Sequence, residues 1–152
     1  MPLPDDDLDH VLEHTRELWD DLRGQTIFLT GGTGFVGTWM LESLLWANKR
    51  LSLDAKVCVL TRHPDLVRTS APHVIEDPAV HVVAGDLEGF AFPAGDIPYF
   101  IHAATEPSSQ PDPAHALEAF DRDVRGTRRL LEFAQARGVR KFLFTSSGAI
   151  YG

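Results

Sequence analysis

The chain has 152 residues, 43% of them hydrophobic and 24% charged, with a formal net charge of −8 at pH 7. That size and balance indicate one globular domain, exclude a disordered chain, and set the protein against the phosphate backbone of nucleic acid. A single cysteine rules out a disulfide framework, and no apolar run reaches the roughly 20 residues that would cross a membrane.

The first nine residues carry four aspartates, unlike a secretory signal, so the expected location is the cytoplasm. From Asp7 the pattern turns helical: Leu8, Val11, Leu12, Leu18, Trp19 and Leu22 share a face, and Gly24 ends the run. Residues 1–24 therefore read as a helical extension packed against the domain or a partner. His10 and His14 stand four apart, a metal-ligand spacing, but no third ligand accompanies them; they read as surface histidines, and no metal site is expected.

Residues 25–29 form an apolar strand. Thr30-Gly31-Gly32-Thr33-Gly34-Phe35-Val36-Gly37 follows, and a densely apolar helical pattern then runs from residue 38 to about 48. Strand, glycine turn and helix in that order are the context in which a glycine pattern carries weight. Gly31 lets the chain leave the strand at an angle a side chain would forbid, and Gly37 lets helix and strand pack closely. At Gly34 a missing Cβ opens the backbone to a pyrophosphate, where the first N–H groups of the helix are unpaired. The turn, with Thr33, Phe35 and Val36 between its glycines, is thus expected to hold a dinucleotide.

A second strand over residues 55–61 contains Cys58, which reads as a buried core thiol. It ends in Thr61-Arg62, with no carboxylate before Asp65. An acid at this point would accept the ribose hydroxyls of NAD, whereas a guanidinium can hold the 2′-phosphate of NADP; Arg62 therefore favours NADP(H) over NAD(H). Residues 65–79 read as a short helix and loop. A third strand over residues 80–85 leads to Asp86-Leu87, where Asp86 either accepts from an adenine amino group or caps a turn. The fourth strand, residues 97–102, opens into Ala103-Ala104-Thr105, small residues that leave room for a ligand at the sheet's carboxyl edge. His102 reads as a packed core histidine.

After a loop over residues 106–113, a long helix is expected from Asp112 as cap and Pro113 as first residue to Gly138. Its expected buried stripe is Leu117, Phe120, Val124, Thr127, Leu131 and Ala134. Gly126 within it costs about 1 kcal/mol against Ala, a sign that another helix or a ligand comes close to the backbone. The fifth strand, residues 142–145, ends in Thr145, followed by Ser146-Ser147-Gly148-Ala149-Ile150-Tyr151-Gly152. Strands alternating with helices give an α/β fold, a doubly wound parallel sheet of order 3-2-1-4-5 over residues 25–152.

Several motifs carry a resemblance. The glycine turn, Gly85-Asp86-Leu87, His102-Ala103-Ala104-Thr105, Val124-Arg125-Gly126-Thr127 with Leu130-Leu131-Glu132, and the stretch from Thr145 to Gly152 occur in order. Together they resemble the extended short-chain dehydrogenase/reductase family, in its NAD-dependent epimerase/dehydratase branch acting mostly on nucleotide sugars. The resemblance implies a Rossmann-type domain with NAD(P) on the turn, a nucleotide-sugar substrate and possible homodimers through helices like 113–137. It also implies that Ser147, four residues before Tyr151, hydrogen-bonds the reacting oxygen. Family members use a Tyr-x-x-x-Lys pair for proton transfer. Here Tyr99 has Ala103 four positions later and Tyr151 is followed only by Gly152, so the chain resembles the cofactor-binding N-terminal part of a longer enzyme. Gly148 and Ala149 stand where dehydratases of the family carry Asp-Glu, which tilts the reading to an epimerase or reductase. Asp123 stands where relatives generally have Asn, an acceptor-donor replaced by an acceptor. A non-catalytic NAD(P)-binding redox sensor is the competing reading; a domain without ligand is disfavoured by the glycines.

Overall fold

The computed structural model describes residues 2–104 and 115–146. Five strands, β1 Thr26–Thr30, β2 Lys56–Thr61, β3 Val80–Ala84, β4 Tyr99–His102 and β5 Lys141–Phe144, form one parallel sheet in the expected order 3-2-1-4-5. Helix α1 is Asp5–Thr15, α2 Phe35–Leu51, α3 Pro64–Ser70, α4 Pro72–Ile75 and α5 Ala116–Arg137.

The central strand is buried on both faces, as a covered parallel sheet requires, and its side-chain alternation divides the core in two. Ile27 and Leu29 pack with Leu41 and Leu44 of α2 and with Val57, Val59 and Tyr99. Phe28 points the other way, to Cys58, Leu60, Val83, Phe100 and Leu130 of α5. Stacked rings fill that second core, Phe28 on Phe90 at 5.4 Å and Phe92 on Phe133 at 3.6 Å between centroids. Burial there pushes the Cys58 thiol pKa up, as befits an inert core residue.

The first helical segment departs from a single regular helix. α1 ends at Thr15 and a 3-10 turn continues over Arg16–Leu22. Three residues per turn instead of 3.6 rotates the later side chains out of phase, so Leu18 is exposed although Leu8 and Leu12 are buried. The segment is tied down by polar contacts as well. The Trp46 indole donates to Asp9 Oδ1 at 2.7 Å, the Tyr99 hydroxyl donates to the Asp21 carbonyl at 3.0 Å, and the Leu3 N–H donates to the buried Glu42 carboxylate at 2.8 Å.

The long helix also corrects an expectation. Leu117, Phe120, Val124 and Leu131 are 49–79% exposed, and Ala134, buried as expected, shares its buried line with Gly126 and Leu130. The reason is a close approach at Gly126: a Cβ there would lie 2.6 Å from the Leu87 Cβ. Neither a helix nor a ligand explains this glycine; the loop after β3 does. Arg129 fixes the same contact by donating to the Leu87 and Phe90 carbonyls while its guanidinium lies 4.6 Å over the Phe90 ring. The start expected near Asp112 and Pro113 lies outside the described residues. Among the described residues no helix is long and apolar enough to cross a membrane.

The contact at Gly126 sets two effects against each other. Gly126→Ala gains about 1 kcal/mol of helix propensity but forces Leu87 aside, an overpacking cost of about 1–3 kcal/mol. The expected net result is a lower urea midpoint followed by circular dichroism; an equal or higher midpoint would contradict the packing.

Candidate functional site

The register sets β1 beside both β2 and β4, with Thr30 opposite Leu60 on one side and His102 on the other. The chain leaves β1 towards β2 and later returns to β4, so the loops after β1 and β4 diverge at the sheet's carboxyl edge. Open α/β sheets bind ligands at such a point.

Each glycine of the turn has its own reason. Gly31 has φ +72°, and a Cβ on it would lie 2.5 Å from the Ala103 carbonyl carbon and the Ala104 nitrogen. A Cβ on Gly37 would collide with the Gly31 carbonyl oxygen. Both are demanded by the protein's own packing. Gly34 is not: its φ is −82°, and a Cβ there would meet only the Gly31 oxygen, at 3.4 Å, an ordinary contact. Gly34 caps α2, donating its N–H to the Gly31 carbonyl at 3.0 Å and accepting from the Thr38 N–H at 2.8 Å. The first turn of α2 contains no acidic residue, so its positive end and unpaired N–H groups are left for an anion.

Beside this helix end lies a cavity of about 490 Å³, within the size range of ligand pockets. Its walls include Gly31, Thr33, Gly34, Phe35, Val36 and Gly37 from the turn, Thr61 and Arg62 after β2, Asp86 and Leu87 after β3, Ala103 and Ala104 after β4, and Thr145 after β5. The fold thus gathers these sequence-derived candidates around one space. Thr105 and Ser147 lie outside the described residues. The wall also holds His63, Arg122, Asp123 and Ser146. Arg122 and Asp123 precede Gly126 by about one helical turn. A glycine that marks where a helix touches a loop also marks which residues one turn away meet the cleft, and that signal was available in the sequence.

The local bonds show how the walls are built. Thr61 accepts the His63 N–H on its hydroxyl at 3.2 Å, and its carbonyl accepts the Gly85 N–H at 3.0 Å. Asp86 Oδ1 accepts from the N–H groups of Glu88 at 2.9 Å and Gly89 at 2.6 Å, so this carboxylate caps the turn that carries Leu87. Across the cavity, the Ala103 N–H donates to the Thr30 carbonyl at 3.1 Å and the Thr145 N–H to the His102 carbonyl at 3.1 Å. His102 itself is 2% exposed behind the wall, with Nδ1 2.7 Å from the Thr30 hydroxyl and Nε2 3.0 Å from the Thr127 hydroxyl. Among the described residues no three His, Cys, Asp or Glu side chains could hold a metal. The His14 ring nitrogen lies 2.9 Å from the His10 carbonyl.

Burial holds the His102 imidazole below its ordinary pKa. The unfolded chain therefore takes up a proton here at a higher pH than the folded one. The resulting stability is complete above the unfolded value of about 6.5 and is lost as the pH falls from there through the folded value. The thermal midpoint should fall more between pH 7 and 5 in the wild type than in His102→Gln; equal slopes would show that this histidine does not contribute.

Comparison with known proteins agrees with this geometry. The family model described as the NAD dependent epimerase/dehydratase family matches residues 27–152. The chain is 26% identical over 133 residues to a UDP-glucose 4-epimerase of Klebsiella pneumoniae, covering 83% of this chain and 91% of that protein. Among solved structures, UDP-glucose 4-epimerase from Bifidobacterium longum in complex with NAD+ and UDP superposes with a TM-score of 0.66 at 23% identity, over 84% of this chain and 38% of that one. The aureusimine biosynthetic cluster reductase domain superposes with a TM-score of 0.59 at 18% identity, over 99% of this chain and 42% of that one. The chain thus spans about two-fifths of the length of these two solved relatives.

Proposed function

The chain belongs to the NAD-dependent epimerase/dehydratase family, and from that premise we propose that it is the cofactor-binding part of an oxidoreductase acting on a nucleotide sugar, as an epimerase or a reductase. The observation that carries this reading is Gly34, a glycine that neither backbone angle nor internal packing requires, at the mouth of a helix N-terminus. Room for an approaching phosphate accounts for it. The UDP-glucose 4-epimerase relatives favour a UDP-sugar substrate.

A bound nicotinamide dinucleotide would supply a hydride acceptor and donor. The protein's own residues do the rest. The α2 N-terminus neutralises the pyrophosphate, and Leu87 with the turn held by Asp86 borders the base and ribose. Arg62 at the end of β2 gives NADP(H) the advantage, because a guanidinium can hold a phosphate bidentately. Ser147 orients the reacting oxygen. No Tyr-x-x-x-Lys pair stands within residues 1–152, and the chain spans about two-fifths of the solved relatives' lengths. Pairing of two chains through the apolar stripe on α5 fits the same reading.

Gly34→Val is expected to abolish binding of both NADH and NADPH with an unchanged far-ultraviolet circular dichroism spectrum, because its Cβ has room in the fold but not beside a phosphate. Retained binding would remove the glycine turn from the cofactor site. Arg62→Ala is expected to weaken NADPH at least tenfold, about 1.4 kcal/mol, and NADH little. Equal losses would show that Arg62 does not read the 2′-phosphate.

A further inference from the structure

We propose that His102 is a positioning residue for the cofactor site: bonded at both ends, its imidazole fixes the spacing between the glycine turn and helix α5. The inference rests on the dinucleotide reading of the cavity. Neither His102 nor Thr127 lines that cavity, so neither is placed to touch what binds there.

One tautomer lets these hydrogen bonds run in a single direction. In it the Thr30 hydroxyl accepts the Ala104 N–H at 3.3 Å and donates its own proton to Nδ1, 2.7 Å away. A neutral imidazole that accepts at Nδ1 carries its proton on Nε2, which donates to the Thr127 hydroxyl at 3.0 Å. Donors and acceptors then run in one direction from Ala104 through Thr30 and His102 into α5, and each bond polarises the next.

Both ends of this chain of bonds bear on the cavity. At one end, Ala103 and Ala104 lie against Gly31 with no room for a Cβ, and Gly37 lies as closely against the Gly31 carbonyl. A shift of Ala104 is therefore passed to the turn at the start of α2. At the other end, Thr127 adjoins Gly126, which is seated on Leu87. The imidazole thus joins the wall at the pyrophosphate position to the wall formed by Leu87 and α5.

Space filling does not explain this choice of residue. The ring is flanked by Phe142 at 6.5 Å and Phe144 at 5.4 Å, surroundings that suit Leu or Phe. Burying two ring nitrogens there is costly unless both are bonded, and their partners sit on two different elements.

The test measures dissociation constants of NADH and NADPH, at pH 7.5, for the wild-type chain, Thr127→Val and Thr127→Ser, with thermal midpoints alongside. Thr127→Val keeps the side-chain shape and removes only the hydroxyl. It should weaken both dinucleotides about fivefold, the effect of one lost hydrogen bond, and Thr127→Ser should restore binding. With histidine labelled by nitrogen-15, the His102 ring resonances should report a protonated Nε2 and an accepting Nδ1, and should move when dinucleotide is added. Wild-type affinity in Thr127→Val, or equal losses in the Val and Ser variants, would overturn the proposal while leaving the cofactor reading intact. A wild-type chain that binds neither dinucleotide would overturn the cofactor reading and the proposal with it. Should Thr127→Val fail to fold, His102→Asn and His102→Gln decide. Asn retains a polar group at the Thr30 end and Gln at the Thr127 end, so each should lose affinity; wild-type binding by either would refute the need for both ends.

Discussion

Everything at the carboxyl edge of this sheet depends on one close approach, that of Gly31 to the backbone of Ala103 and Ala104. It closes the gap between the two directions in which the chain leaves the centre of the sheet. With any side chain at residue 31 the loops after β1 and β4 would be forced apart, and Gly37 could not then sit over the Gly31 carbonyl. The helix end, the cavity and the bonds through Thr30 and His102 all presuppose that contact. It is a steric constraint first, and an anion site only because the helix behind it begins there.

The two faces of the sheet are finished differently. On the side of α5 the core is aromatic, and Arg129 crosses it to bind the carbonyls of the loop after β3. On the side of α2 the core is mainly aliphatic, and the N-terminal segment closes part of it with Leu12, Trp19 and Leu22. That segment lies before the region matched by the family model, yet it reaches Glu42, Trp46 and Tyr99. The near-complete overlap with the aureusimine cluster reductase domain extends the fold likeness to this segment.

Much of this was legible in the sequence because the strands are short apolar runs bounded by turn residues, and because the glycine turn announces the topology around it. The phase of α5 was not legible. Its apolar residues occupy more than one face, with Leu117, Phe120, Val124 and Leu131 on one and Leu130, Phe133 and Ala134 on another. Which face meets the sheet is decided by the seat of Gly126 on Leu87, a residue far away in the sequence. The change to a 3-10 turn at Arg16 was hidden for a similar reason, since apolar spacing alone does not distinguish 3.0 from 3.6 residues per turn over so short a run. Asp86 and His102 were ambiguous in kind rather than in place. A carboxylate at a strand end can cap, recognise or do both, and a core histidine can fill or connect; the distances to Glu88 and Gly89 show the cap, and those to Thr30 and Thr127 show the connection.

The anchoring of the N-terminal segment has a bearing on how the polypeptide matures on the ribosome. Asp21 gives its carbonyl to Tyr99 and its carboxylate to Lys141, partners 78 and 120 positions later. Asp21 therefore receives these contacts only after Tyr99 and Lys141 have been synthesised. At about 5–20 residues per second, the Asp21 carboxylate waits several seconds or more for Lys141. The 3-10 segment is thus completed only when the fifth strand has emerged, whereas α1 meets its partner α2 much earlier.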